Sequence, residues 1–165
     1  MCTIVNLAPV RLRKSILDVL FVIFFLFVFF FRGQLLICAI VATIVFAGTS
    51  LIGVPYPVVL ATLAFLLESI PYAGPFLAFV PAFLLAYSVS SEMAVQVIIF
   101  YLIIVFLENY VIQPKIMGEV LRTHPVKILL AMLLAANLFG LIGILLAVPF
   151  MAIMRIVIRF AWNWK

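Results

Sequence analysis

The chain alternates long apolar blocks with short polar intervals, and the intervals mark where helices should start and stop. Ile16–Phe31 is a dense apolar run with Asp18 near its start and seven Phe between Phe21 and Phe31. As a helix it would reach roughly 20–24 Å, short of a hydrocarbon core of about 30 Å. Arg32-Gly33-Gln34 separates it from Leu35–Ile52, an uncharged run long enough to cross a bilayer. Small residues recur along that run (Ala39, Ala42, Ala47, Gly48, Ser50) and let helices approach closely in lipid. Gly53-Val-Pro-Tyr-Pro57 predicts a tight turn.

Val58–Tyr87 would be roughly 45 Å long as one helix, too long for a straight crossing. Glu68-Ser-Ile-Pro-Tyr-Ala-Gly-Pro75 interrupts it at the middle, and neither half can span alone. The pattern predicts a broken helix or a re-entrant hairpin, whose irregular backbone is tolerated only inside protein or against water. Ser88–Glu92 reads as a surface turn in which Ser90 or Ser91 caps a spanning helix, Met93–Ile112. A polar interval follows, from Glu108 to Lys127, carrying Lys115, Glu119, Arg122 and His124 between Pro114 and Pro125. Proline removes a backbone donor and disfavours helix in the residue before it, so the helix should end near Gln113 and restart after Pro125. Val126–Phe139 is again short, and Asn137-Leu-Phe-Gly-Leu-Ile-Gly143 breaks it before Ile144–Ile158.

Composition fixes the solvent. Of the 165 residues, 70% are hydrophobic and 9% charged, against about 25% charged in soluble domains. The expected fold is all-α, a polytopic integral membrane protein with two broken or re-entrant helical segments. Residues 1–31 read as an N-terminal tail and short apolar helix, and residues 32–165 as a membrane domain. The net charge of +5 lies at the ends of apolar runs, which points to lipid head groups rather than nucleic acid. Lys115, Arg122 and Lys127 are expected on the cytoplasmic side with Arg155, Arg159 and Lys165, the break at Gly140–Gly143 being the turning point. Trp162 and Trp164 complete an interfacial anchor. The N-terminal basic cluster and apolar run imitate a signal peptide, but Phe31-Arg32 is no cleavage site. Cys2 and Cys38 have no metal or redox spacing. His124 is the only histidine and no hydrolase or nucleotide-binding motif is present, so an enzyme, a metal or a cofactor is not expected.

Glu68 is the most isolated acid, with no other charge between Arg32 and Glu92. A carboxylate inside an apolar run costs at least about 2.5 kcal/mol to insert, so it must face a cavity or a partner. Two readings follow. In one, Glu68 binds a solute or carries a coupling proton beside backbone freed by Pro71, Tyr72, Gly74 and Pro75. In the other, it caps backbone donors or pairs with an Arg or Lys. Glu108 and Asn109, near a helix end, suit a structural pair with Lys115. Asn137 is the only amide of its run and could bond across helices. Paired, Gly/Pro-broken segments are also the sequence pointer to a transporter's site, which adds Gly140 and Gly143.

Gly33-Gln34, Leu67-Glu-Ser-Ile-Pro-Tyr-Ala-Gly-Pro75, Gln113-Pro-Lys-Ile-Met-Gly118, His124-Pro125 and Phe139-Gly-Leu-Ile-Gly-Ile-Leu-Leu-Ala-Val-Pro149 resemble, in order and spacing, the autoinducer-2 exporter family of bacterial inner-membrane permeases. The likeness covers about residues 32 to 160 and looks like the C-terminal half of a family member. It implies a multi-pass protein of the bacterial inner membrane that effluxes a small polar quorum-sensing metabolite, autoinducer-2-like and proton-coupled. It also implies a homo-oligomer and carries Gln113, Pro114 and Lys115 over as a gate or connector, to which Glu108, Asn109, Gly118, His124 and Pro125 of the same polar interval are assigned by position. Some relatives are described as cation/proton antiporters, and a non-transporting truncated membrane subunit is the reading from a different class.

Overall fold

The computed structural model describes residues 10–70, 73–118 and 125–162. Those residues form helices and turns with no strand among them, as an all-α membrane protein requires. The helices are α1 (Val10–Ile52), α2 (Pro57–Leu67), α3 (Gly74–Val89), α4 (Ser91–Leu107), a single π turn (Glu108–Ile112), α5 (Gln113–Met117) and α6 (Pro125–Trp162). Phe24–Ile52 and Ser91–Met117 are each long and apolar enough to cross a membrane. The chain divides into two compact units, residues 32–124 and residues 1–31 with 125–165.

In the first unit small side chains line much of the core beside a few large ones (Ile37, Leu60, Ile104 and Met117), while many large apolar side chains lie outside. Ala64 of α2, Ala78, Ala82 and Ala86 of α3, and Ala94 of α4 are buried, whereas Leu66, Phe76, Leu84, Leu102 and Phe106 are exposed. Water would reverse this arrangement. Lipid permits it, because tails solvate Leu and Phe as well as a core does, and small residues let helix backbones meet. Gly48 of α1 follows the same rule, since a Cβ there would overlap the Phe100 ring of α4.

Both expected breaks are present. α2 stops at Leu67 and α3 begins at Gly74, so the long apolar segment is two short helices. The preceding turn is as read, with Gly53 and Tyr56 both at positive φ. Ser90 caps α4, its Oγ accepting from the Met93 N–H at 3.1 Å. In the second unit α6 leaves helical geometry at Gly140 (φ 61°, ψ −141°). The bend there is sharp enough that a Cβ on Gly143 would overlap the Ala135 carbonyl. In a straight helix, positions eight apart lie about 12 Å apart. Gly143→Leu is therefore expected to cost about 1–3 kcal/mol by overpacking, read as a lower melting temperature in detergent. An unchanged melting curve would contradict this bend.

Two expectations about helix ends are corrected. Arg32-Gly33-Gln34 does not separate two helices, because α1 runs through it. Arg32 is exposed, while Gly33 and Gln34 are buried, so this polar interval faces protein and needs no loop. Nor does the helix end near Gln113. It passes Pro114 by way of the π turn and stops at Gly118, at φ 53°.

Candidate functional site

Five polar side chains of the first unit are buried among the described residues: Thr49 bonds back to the Val45 carbonyl of its own helix, and the other four, Gln34, Glu68, Glu108 and Gln113, form a cluster. Three elements bring them together: the middle of α1, the break between α2 and α3, and the π turn after α4.

Glu68 follows the last residue of α2, where the chain tightens. Its N–H reaches the Ala64 carbonyl at 2.9 Å, and those of Ser69 and Ile70 reach Leu66 and Leu67 at 3.3 and 3.0 Å. The Gly74 N–H then reaches the Ile70 carbonyl at 2.9 Å and starts α3. Gly74 lies directly against Glu68, for a Cβ on it would stand 2.6 Å from the Glu68 Cα. The Gln34 Nε2 donates to the Glu68 backbone carbonyl at 2.7 Å, which ties α1 to the break.

The Glu68 side chain is fully buried, and neither carboxyl oxygen has a hydrogen-bond donor among the described residues. The Glu108 carboxyl lies within hydrogen-bonding reach of it. Glu108 is 1% exposed; its Oε1 accepts from Gln113 Nε2 at 2.6 Å, and its Oε2 has no donor. Cys38 of α1 and Tyr101 of α4 are near enough to feel a charge on Glu68, and the Ser69 hydroxyl bonds with the Cys38 thiol. The Tyr101 hydroxyl is given to the Ala78 carbonyl of α3 at 3.2 Å. Arg32 and Lys115, the two cations whose side chains are described, are both exposed.

This overturns the expected pairing of Glu108 with Lys115. In an unbroken α-helix positions i and i+7 share a face. The π turn inserts one extra residue into that register, so Lys115 turns outward and Gln113 comes over Glu108. Two buried carboxyls within reach of one another cannot both carry full charge without a cation, so the arrangement suits one shared proton. Among the described residues no group of three or more His, Cys, Asp and Glu could hold a metal ion.

The remaining residues are placed as follows. Pro75 is buried at the start of α3. Asn109 is half-buried and donates to the Val105 carbonyl of its own helix at 2.8 Å. Pro114 and Gly118 are exposed. Asn137 is exposed and bonds back to Leu133 at 3.0 Å, not across to another helix. Gly140 and Gly143 lie in the second unit. Pro125 opens α6. Pro71, Tyr72, Glu119, Arg122, His124, Trp164 and Lys165 lie outside the described residues. Sequence reasoning missed Gln34 and Tyr101 as members of the cluster. The available signal was the lone amide at 34 with Cys38 one turn on, inside an uncharged apolar run.

A family model described as AI-2E family transporter matches residues 3–163. The chain is 39% identical over 127 residues to the Bacillus subtilis (strain 168) protein named "Putative transport protein YrrI", covering 77% of this chain and 36% of that one. It is 36% identical over 126 residues to "Putative transport protein YueF" of the same organism, covering 76% and 34%. It is also 31% identical over 127 residues to a "Putative transport protein" of Thermotoga maritima, covering 76% and 39%. The chain thus spans about a third of the length of the curated relatives it matches.

Proposed function

The chain belongs to the AI-2E transporter family, and on that premise we propose that it forms part of the path of a proton-coupled permease exporting a small polar solute, autoinducer-2-like, from the bacterial cytoplasm. The observation that carries this reading is the Glu68–Glu108 pair, two buried acids with unpartnered oxygens at a helix break inside an apolar fold. Acids at membrane depth are expensive and mark proton relays or solute paths. Broken helices bring free backbone groups to the same place. In this reading the chain crosses the inner membrane several times, its exposed Leu and Phe side chains meet lipid or copies of itself, and solute passes beside the break between α2 and α3.

The test is flux of autoinducer-2 from lipid vesicles containing the protein, with and without an imposed proton gradient. Wild-type flux is expected to follow the gradient. Glu68→Gln is expected to insert normally and to lower the gradient-driven flux about tenfold or more, equivalent to about 1.4 kcal/mol on the limiting barrier. Its remaining flux should be indifferent to pH. Wild-type flux and pH profile in this variant would remove the coupling role. Flux that follows a sodium gradient instead would move the reading to cation/proton antiport. No flux of any solute from well-inserted protein would favour a membrane subunit that transports nothing by itself.

A further inference from the structure

Gln113 meets Glu108 only because the backbone between them is wide. Pro114 has no backbone N–H, and in an unbroken α-helix its ring would strike the carbonyl one turn earlier. The chain accommodates it with one π turn, in which the Gln113 N–H reaches the Glu108 carbonyl five residues back. That bond stacks position 113 over position 108, where an α-helix would carry it round to another face. The Gln113 side chain then repeats the backbone's direction, its Nε2 donating to Glu108 Oε1 at 2.6 Å in a buried setting.

The two acids are consequently not equivalent. An amide N–H aimed at a carboxylate oxygen favours the charged form of that group. Glu108 has one. Among the described residues Glu68 has none: the Gln34 amide is given to the Glu68 backbone carbonyl, and the Tyr101 hydroxyl to Ala78. Among the described residues the titratable group near Glu68 from α1 is Cys38 and from α4 it is Tyr101, while α3 brings the Gly74 backbone against it. Arg32 and Lys115 both point outward.

We infer that Gln113 is a positioning residue that makes the pair directional, with Glu68 donating the shared proton and Glu108 accepting it, and that the π turn forced by Pro114 holds this polarity. The inference rests on the reading of the pair as a shared-proton site and adds which acid carries the proton and what decides it. The acid at the α2–α3 break is then the one that loads and releases, while Glu108 remains a fixed counter-group.

Infrared spectroscopy of the full chain in lipid vesicles at neutral pH tests this, through the carbonyl stretch of a protonated carboxyl. In the wild type that band is expected to vanish in Glu68→Gln and to survive in Glu108→Gln. In a Gln113→Leu background the band is expected to survive Glu68→Gln, because Glu108 has lost the donor that kept it charged. Pro114→Ala, which lets the π turn relax to α-helix, should give the same reassignment with Gln113 still present. Combining Gln113→Leu with Pro114→Ala should add nothing further, since both remove one bond; a purely structural role would not move the band from one acid to the other. A wild-type band lost in Glu108→Gln overturns the inference. So does an assignment to Glu68 that neither Gln113→Leu nor Pro114→Ala alters. No protonated carboxyl in the wild type overturns the shared-proton reading with it. A Glu68 band that responds to Gln113, in protein whose flux ignores pH, refutes proton coupling alone and leaves the assignment standing.

Discussion

Gly74→Ala is expected to be more damaging than any other single-methyl addition in the first unit. The new Cβ would stand 2.6 Å from the Glu68 Cα, 2.9 Å from the Leu67 carbonyl oxygen and 3.0 Å from Glu68 Oε2. Two of those atoms are backbone, fixed by the hydrogen bonds that end α2 and start α3, so relief requires the break itself to open. Overpacking of this kind costs typically about 1–3 kcal/mol, and here it falls on the element that positions Glu68. The expected result is a melting temperature several degrees lower and near-complete loss of gradient-driven flux from correctly inserted protein. Gly48→Ala is the control. Its Cβ would meet the Phe100 ring, a half-buried side chain rather than backbone, so stability should fall while the pH profile of flux is kept. Equal stability in Gly74→Ala and wild type would show that the turn at Glu68 is looser than its hydrogen bonds indicate.

The contrast between these glycines marks what the sequence could reveal. Glu68 was legible as a site because no charge in its own segment could neutralise it, and the Pro and Gly beside it announced the break. Its partner was not legible. Glu108 lies seven positions before Lys115, a spacing that places both on one face of any regular helix. One inserted π-turn residue cancels that rule, and π turns have no strong sequence mark, although they gather at functional sites. Pro114 was the only hint, and it reads more naturally as a helix end. Arg32-Gly33-Gln34 misled for a related reason. A charge, a glycine and an amide in sequence look like a loop between two membrane segments. In the fold each has a separate use: Arg32 leaves the protein, Gly33 lets the Met117 side chain of α5 come close, and Gln34 binds the break. The breaks at residues 68–73 and at Gly140 were readable because they follow from local backbone chemistry. Which acid meets which amide depends on the rotation of whole helices, and a period of 3.6 residues predicts that only while the helix stays regular.

The most decisive single measurement concerns the triple variant Glu68→Leu/Glu108→Leu/Gln113→Leu. Leucine is close in size to glutamate and glutamine, so the core keeps its volume. The change removes three carboxyl oxygens that lack a donor among the described residues, and takes away the Gln113 amide together with the oxygen it serves. Deleting one partner of a buried bond leaves the other orphaned at a cost of about 1–3 kcal/mol, whereas replacing both by apolar groups of similar shape is near neutral or stabilising. Glu108→Leu alone should therefore be less stable than the triple variant, because it strands the Gln113 amide. The triple variant is expected to melt at or above the wild-type temperature, and to conduct no gradient-driven flux. That combination is the signature of polar groups kept in an apolar interior for function at the expense of stability. The structural reading of Glu68, in which the pair exists to hold the α2–α3 break against α4, requires the opposite: a marked drop in melting temperature once the polar contacts are gone. Because the Gln34 amide binds the Glu68 backbone carbonyl and not its side chain, the tether of the break to α1 survives all three substitutions, so a loss of stability could not be assigned to that bond.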